Sequence, residues 1–231
     1  MKMFRFLKST SRTVHEEEEQ HEQEHKTTES TNQGGASTSL TVWRKSLLIS
    51  CNGFTVIGSN GDLVYRVDNY SGRPEEITLM DAPGKPVLTI LRRRKTLRLV
   101  DSWRVYEGEA GDGEDCRRAS KSSEEKPVWS IRKHIKNILN PINPKPKPNA
   151  IAYVCRGGED KSAYVVEGSY AERSCKVWNE SRRVVVAEIK RKEASKGGVS
   201  FGLEVFLLVV HPGFDPGFAM ALVLVLDQMF A

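Results

Sequence analysis

The sequence predicts a mainly β fold, a closed antiparallel barrel of about twelve strands around a central apolar C-terminal α-helix. Apolar and polar residues alternate along most of the chain, turn signals separate the alternating segments, and one continuous apolar segment follows them. The chain has 231 residues, which is enough to bury a sizeable core.

The alternating segments are rich in β-branched and aromatic residues, which favour strands. In the first half they are "LTVWRKSLLIS" at 40–50, "FTVIGS" at 54–59, "LVYRVDNY" at 63–70, "ITLMD" at 77–81, "VLTILRRRK" at 87–95 and "LRLVDSWRVYEGE" at 97–109. In the second half they are "PVWSIRKHI" at 127–135, "AIAYVCR" at 150–156, "AYVVEGSY" at 163–170, "RSCKVWNE" at 173–180, "RVVVAEIKRK" at 183–192 and "GLEVFLLVVH" at 202–211. Turn signals such as Asn60-Gly61 imply antiparallel neighbours, and closure into a barrel removes exposed strand edges.

The apolar segment from Phe218 to Leu226 predicts a buried helix over residues 216–229. Its nine residues are too few to span a membrane, which takes about 20. Asp215 is the predicted N-cap, and Pro216 suits the first helical position. The helix would be apolar on every face and carries no positive charge, unlike an interfacial helix. Only enclosure inside the barrel suits such a helix.

Two segments are predicted to be disordered because they are too poor in apolar residues to offset the entropy of folding. They are the polar tail at 1–38 and an insert at 108–126 in the barrel domain, which covers 40–231. "HEQEH" at 21–25 matches the zinc-protease pattern, but an acidic tail without an apolar face offers no stable helix, so no metal site is predicted. Ser120, in "RRAS", is a candidate phosphorylation site in the insert.

The charge distribution and the cysteines limit the expected location and partners of the protein. Residues 1–39 carry a net charge of −2 and the rest of the chain +7. A basic folded part indicates an anionic partner, either lipid headgroups, an acidic protein or nucleic acid, although solubility alone also explains it. The four cysteines are widely spaced, which favours free thiols in a reducing compartment. We therefore expect a cytoplasmic monomer, peripheral at the plasma membrane or with access to the nucleus.

Several segments together resemble the plant LURP-one-related family. They are "LTVWRKSLLISCNGFTVIGSNGDLVYRVDNY" at 40–70, "LMDAPGKPVLTILRRRK" at 79–95, "EGSYAERSCKVW" at 167–178, "AEIKRKEA" at 187–194 and "HPGFDPGFAMALVLVLDQMF" at 211–230. The resemblance implies a fold similar to the tubby C-terminal domain and to phospholipid scramblases, a twelve-stranded barrel around a central helix. For function, it implies a link to plant defence and a role like that of membrane-tethered regulators. The family has no assigned catalytic residues, so none is carried over.

Cationic side chains concentrate at the ends of three predicted strands. They are Arg92, Arg93, Arg94, Lys95 and Arg98 in the first, Arg132, Lys133 and Lys136 in the second, and Lys190, Arg191 and Lys192 in the third. The planar fork of arginine suits phosphate oxygens. If these strand ends meet at one rim, they would form an anion site, by analogy with the basic pocket through which tubby binds phosphoinositide headgroups. The alternative is a solvated basic face paired with nearby glutamates.

The sequence contains no recognisable catalytic motif and implies no cofactor, and Cys175 is expected to pack as a small apolar side chain. We therefore expect a non-enzymatic protein, and the resemblance implies a regulator or adaptor that binds phosphoinositide or another anionic membrane surface, with a role in plant defence. The alternatives are scramblase-like lipid handling and a nucleic-acid-binding transcriptional regulator. The aromatic residues occur singly within the β-strands. This argues against nucleic-acid binding, because single-stranded nucleic acid binds to platforms of clustered aromatic side chains.

Overall fold

The computed structural model describes residues 35–70, 74–93, 101–109, 126–134, 147–157, 159, 161–193 and 201–230. Most of the predicted tail, residues 1–34, lies outside the described residues, as do residues 110–125 of the predicted insert. The zinc-protease pattern at 21–25 and Ser120 therefore also lie outside them.

The described residues form twelve strands and one helix. The first six strands are β1 (Thr38–Trp43), β2 (Phe54–Ile57), β3 (Leu63–Val67), β4 (Glu76–Asp81), β5 (Pro86–Arg93) and β6 (Ser102–Glu107). The next six are β7 (Trp129–Lys133), β8 (Ala150–Arg156), β9 (Ser162–Ser169), β10 (Ser174–Asn179), β11 (Val184–Arg191) and β12 (Val205–Val210), and the helix is α1 (Pro216–Phe230).

The strands close into a single antiparallel barrel, which confirms the predicted fold class. Each strand pairs with its neighbours in the sequence, and β1 closes the barrel by pairing with β12. The closing register runs from Thr38 opposite Val210 to Trp43 opposite Val205. Because the barrel is closed, its strands leave no edge exposed for pairing with another chain.

Alternation along each strand separates the core from the outer surface. On β12, Phe206, Leu208 and Val210 are buried, whereas the residues between them are only partly buried. Successive side chains of a strand point to opposite faces, so the buried set points into the barrel. These inward side chains pack with α1 in one hydrophobic cluster.

Helix α1 occupies the centre of this cluster, as predicted. Every residue from Ala219 to Leu226 is at most 2% exposed. At its start, the amide of Phe218 donates a 2.6 Å hydrogen bond to Asp215 Oδ1, and Pro216 is the first helical residue. The predicted cap is therefore confirmed. Among the described residues, no helix is both long and apolar enough to cross a bilayer.

The antiparallel order brings alternate strand ends to the same end of the barrel. We call the end at which α1 ends the lower rim. It contains the ends of the odd-numbered strands and the starts of the even-numbered ones. The opposite end, where α1 begins, is the upper rim.

One predicted strand is too long. The prediction places "LTVWRKSLLIS" at 40–50 in a single strand, but β1 ends at Trp43, and residues 44–53 form a loop at the lower rim. The alternation also ends there, because Leu47, Leu48 and Ile49 are consecutive apolar residues that cannot all point inward. All three are exposed.

Candidate anion-binding rim

All the described basic candidates lie at the lower rim. Arg92 and Arg93 end β5, Arg132 and Lys133 end β7, and Lys190 and Arg191 end β11, with Lys192 next in the chain. Arg94, Lys95, Arg98 and Lys136 lie outside the described residues.

The candidates share a rim but form two groups. β5 and β7 are separated only by β6, whereas β11 is six positions from β5 in the barrel order, on the opposite side. With strands about 4.8 Å apart and tilted, a barrel of this size is roughly 20–25 Å across. The two groups could therefore contact one flat surface together, but they could not bind one small headgroup together.

Arg92 is held in a structural ion pair. It lies on the inward register of β5, two residues after the buried Ile90, and its side chain is only 8% exposed. It pairs with the carboxylate of Asp101, with Nε 3.1 Å from Oδ2, and its guanidinium lies 5.6 Å from the centre of the Trp103 ring. A barrel interior excludes an unpaired guanidinium, and Asp101 supplies the partner that this one requires. Arg93 points the other way and is exposed.

Lys133 also has a structural contact. Its Nζ donates a 2.9 Å hydrogen bond to the carbonyl oxygen of Met229 and lies 4.5 Å from the centre of the Phe230 ring. A cation at this position satisfies one of the last carbonyls of α1 and complements the helix dipole. Arg132 points outward and pairs in register with Ser102.

The β11 group makes contacts at the surface or partly buried beneath it. Lys190 Nζ lies 3.1 Å from Glu188 Oε1, Arg191 Nε donates to the carbonyl of Glu172 at 3.0 Å, and Lys192 Nζ donates to Thr41 Oγ1 at 3.0 Å. Lys190 is about half exposed, and exposed ion pairs contribute only about 0–1 kcal/mol. The exposed side chains of Lys190 and Arg191 can turn toward an anion at little cost.

A buried polar cluster, which was not predicted from the sequence, joins the lower rim to α1. Asp227, 2% exposed, accepts hydrogen bonds from the hydroxyls of Tyr70 at 2.7 Å and Tyr170 at 3.1 Å. Arg44 Nε lies 3.2 Å from Asp227 Oδ1, and Gln228 Nε2 donates to the hydroxyl of Tyr70 at 2.6 Å. The signal in the sequence was a lone carboxylate at the end of an otherwise apolar, enclosed helix, since a buried charge requires partners.

The cluster shifts the pKa values of its own members. Burial, and then the neighbouring Asp227 carboxylate, raise the pKa of both Tyr70 and Tyr170 well above the ordinary value. Partial burial acts to lower the pKa of Arg44, but Asp227 and Glu204 outweigh it, and the net shift is upward. The tyrosines therefore stay protonated as donors to Asp227, and Arg44 stays charged.

The lower rim also carries most of the exposed apolar side chains. Of the seven large hydrophobic residues that are exposed in the described part of the chain, six lie there. They are Trp43, Leu47, Leu48, Ile49, Phe201 and Leu203, and we call this set the apolar patch. The seventh, Val184, starts β11 at the upper rim.

Cys175 lies in the core on the inward register of β10. Burial raises its pKa to about 12, which outweighs the opposing effect of Arg173. A nucleophilic cysteine requires the opposite shift. In the described residues, no three His, Cys, Asp or Glu side chains are grouped as ligands for a metal ion.

Comparisons with known proteins agree with this architecture. A model of the LURP-one-related family matches residues 38–227, which contain the whole barrel and most of α1. Protein LURP-one-related 17 of Arabidopsis thaliana is 50% identical over 238 aligned residues, which cover 99% of this chain and 100% of that protein. The chain belongs to the LURP-one-related family. Protein LURP-one-related 8 of Arabidopsis thaliana is 45% identical to this LURP-one-related protein, over 84% of its length and 88% of the relative.

A solved structure shows the same fold. The X-ray structure of an Arabidopsis thaliana protein matches this LURP-one-related chain with a TM-score of 0.53, at 22% sequence identity. The match covers 84% of this chain and 91% of that one. At this identity the likeness concerns the fold alone.

Proposed function

We propose that this LURP-one-related protein is a non-enzymatic regulator or adaptor that binds anionic membrane surfaces through its lower rim. The observation that carries the proposal is the position of the described basic candidates, which all lie at one end of the barrel. A bilayer is flat and extended, so it can contact both groups of the rim at once. A juxtamembrane lysine or arginine contributes about 1 kcal/mol near an anionic leaflet.

Within this proposal, Arg93, Arg132 and the β11 group bind lipid, because Arg92 and Lys133 are held by contacts inside the protein. The contribution of Arg94, Lys95 and Arg98 stays a prediction. So do recognition of a phosphoinositide headgroup, phosphorylation of Ser120 and a role in plant defence.

Vesicle co-sedimentation of the full chain tests the proposal. We expect the protein to sediment with phosphatidylcholine vesicles that contain phosphatidylserine or a phosphoinositide, and not with phosphatidylcholine alone. Binding should weaken as salt rises, because the attraction is electrostatic and is screened by ions. Stronger binding to phosphoinositide than to phosphatidylserine at equal charge would identify headgroup recognition. Equal binding would show that the protein responds only to the charge of the membrane surface.

A matched pair of variants locates the binding surface. Replacing Lys190, Arg191 and Lys192 with alanine removes three charges from the lower rim. The control replaces Lys85, Lys161 and Arg182, three exposed cations at the upper rim. We expect only the lower-rim variant to lose binding. Equal loss in both variants, or no binding by the wild type, would overturn the proposal. A scrambling assay and a gel shift test the two alternatives from the sequence.

A further inference from the structure

The loop between β1 and β2 presents three consecutive apolar side chains to solvent. Leu47 is 51% exposed, Leu48 is 47% exposed and Ile49 is 95% exposed. Single exposed apolar residues are common on protein surfaces, but a contiguous set marks an interaction site. Ile49, almost free of contacts, forms the tip of this set.

The neighbouring loop enlarges the exposed apolar surface. Phe201 and Leu203 precede β12, which pairs with β1, and they are 45% and 42% exposed. The two loops are joined, because the amide of Arg44 donates a 2.8 Å hydrogen bond to the carbonyl oxygen of Glu204. Together they form the apolar patch at one side of the lower rim.

The base of the β1–β2 loop is firmly held. Arg44 pairs with Asp227, Thr55 Oγ1 donates to the carbonyl of Lys45 at 2.7 Å, and the amide of Leu48 donates to Ser46 Oγ at 3.0 Å.

Close packing adds to this bracing. A Cβ atom at Gly53 would lie only 1.9 Å from the carbonyl oxygen of Val67, so the end of the loop is pressed against β3. The apolar tip therefore stands on a base that these contacts hold in place, so binding through it need not order the base of the loop.

Lysines lie beside the aromatic members of the patch. Lys45 Nζ lies 5.4 Å from the centre of the Trp43 ring, and Lys192 Nζ lies 5.3 Å from the centre of the Phe201 ring. Tryptophan favours the interface between lipid and water, and lysine can extend its ammonium to headgroups while its stem lies on apolar surface. An acid of the neighbouring loop, Glu204, lies 3.7 Å from Arg44, which also pairs with Asp227. A projecting apolar tip with lysines beside it complements an anionic bilayer better than a neutral protein surface.

We propose that Leu47, Leu48 and Ile49 insert into the acyl region of an anionic bilayer, while Lys45, Lys192 and the neighbouring basic residues bind its headgroups. This inference rests on the proposed function and adds to it an apolar anchor and an orientation. The lower rim faces the membrane and its side with β1, β11 and β12 enters most deeply, with Trp43 and Phe201 at the level of the headgroups.

The first test replaces the apolar tip without changing charge. We expect the double variant Leu48→Ser and Ile49→Ser to bind phosphatidylserine-containing vesicles at least about tenfold more weakly than the wild type. The reason is that binding then removes less apolar surface from water. Its salt dependence and its thermal unfolding should be unchanged. The matched control is Val184→Ser, an exposed residue of the upper rim, which should bind as the wild type does.

The second test measures how deeply the loop enters the bilayer. On vesicles, the fluorescence that Ile49→Trp adds to that of the wild type should shift to the blue. Lipids brominated on their acyl chains should quench this added fluorescence. The same tryptophan substitution, combined with alanine at Lys190, Arg191 and Lys192, should bind less but show the same quenching once bound.

The outcomes separate the two proposals. Suppose that the wild type binds anionic vesicles. If the serine variant then binds equally well, or if the added fluorescence of the Ile49→Trp variant is not quenched, the proposed insertion of the loop is wrong and the proposed binding through the basic rim is retained. If the wild type binds no vesicles, both are wrong. If light scattering shows that the serine substitutions abolish a dimer while vesicle binding is unchanged, the patch joins two copies of the chain and the membrane anchor is overturned.

Discussion

The hydroxyl of Tyr70 donates a 2.7 Å hydrogen bond to Asp227, and so links the segment after β3 to the last turns of the central helix. Tyr170, after β9, donates to the other oxygen of the same carboxylate. One buried acid thus holds two segments of the lower rim against α1, and the ion pair with Arg44 adds the β1–β2 loop.

The first prediction concerns this cluster. Tyr70→Phe should lower the free energy of unfolding by about 1–3 kcal/mol, because it removes a donor from a buried carboxylate. Asp227→Asn should lower the free energy of unfolding by about 2–3 kcal/mol. This is less than the loss expected on breaking a fully buried ion pair, because the side chain of Arg44 is 35% exposed. Urea unfolding of both single variants and the double variant measures the coupling, expected at about 0.5–3 kcal/mol. Additive losses would contradict the link between the two residues.

The second prediction concerns alkaline pH. The folded-state pKa values of Tyr70 and Tyr170 lie above the ordinary value of 10.0, so unfolding lets both phenols ionise more easily. Their contribution to stability is fully present below about pH 10 and decreases as pH rises above it. Urea midpoints measured across this range should fall with pH. The fall should be shallower in the double variant Tyr70→Phe and Tyr170→Phe, and an unchanged slope would refute the assignment.

The third prediction compares two glycines with positive φ. Gly168 (φ 116°) pairs with Cys175 across β9 and β10, and a Cβ there would lie 2.1 Å from the carbonyl oxygen of Ser174. Apart from its two chain neighbours, a Cβ at Gly108 (φ 68°) would have none of the described residues within 4 Å. Gly108→Ala should cost about 1–2 kcal/mol, the penalty of the left-handed conformation. Gly168→Ala should cost about 1–3 kcal/mol more because of the clash. Equal urea midpoints for the two variants would show that β10 moves aside.

The fourth prediction concerns the central helix. Leu224→Ala, at a fully buried position, should lower the free energy of unfolding by about 2–5 kcal/mol, because it leaves a cavity in a close-packed core. Leu203→Ala makes the same chemical change at a residue that is 42% exposed, and it should cost about 0.5 kcal/mol or less. Thermal or urea unfolding compares them. Similar losses would mean that α1 is not packed as described.

Local patterns were sufficient to predict the barrel and its helix. The alternation of residues such as Phe206, Leu208 and Val210 fixes which face of a strand is buried, and a helix that is apolar on all sides requires a closed container. The cap formed by Asp215 is a contact between near neighbours in the chain. Such features depend on a few consecutive residues, and they can be recognised from sequence.

Contacts between distant residues could not be predicted in this way. Alternation after Leu88 and Ile90 places Arg92 on the inward register, but it does not show that Arg92 pairs with Asp101. Tyr70 and Asp227 are separated by most of the domain. The exposed loop at 47–49 was missed for a different reason. A short apolar segment next to a strand has the same composition whether it continues the strand or projects from its end.

The position of the central helix has a consequence for how the protein is made. On the ribosome, all twelve strands are synthesised before Pro216–Phe230, the segment around which they close. β1 has to wait for β12, the last strand to be made, and the inner faces of the strands have no helix to cover them until Pro216–Phe230 follows. Such a chain cannot mature stepwise from its beginning, and its exposed apolar surface invites aggregation. Each molecule therefore completes its fold only after translation has passed the helix, and we expect nascent chains stalled before it to require chaperones.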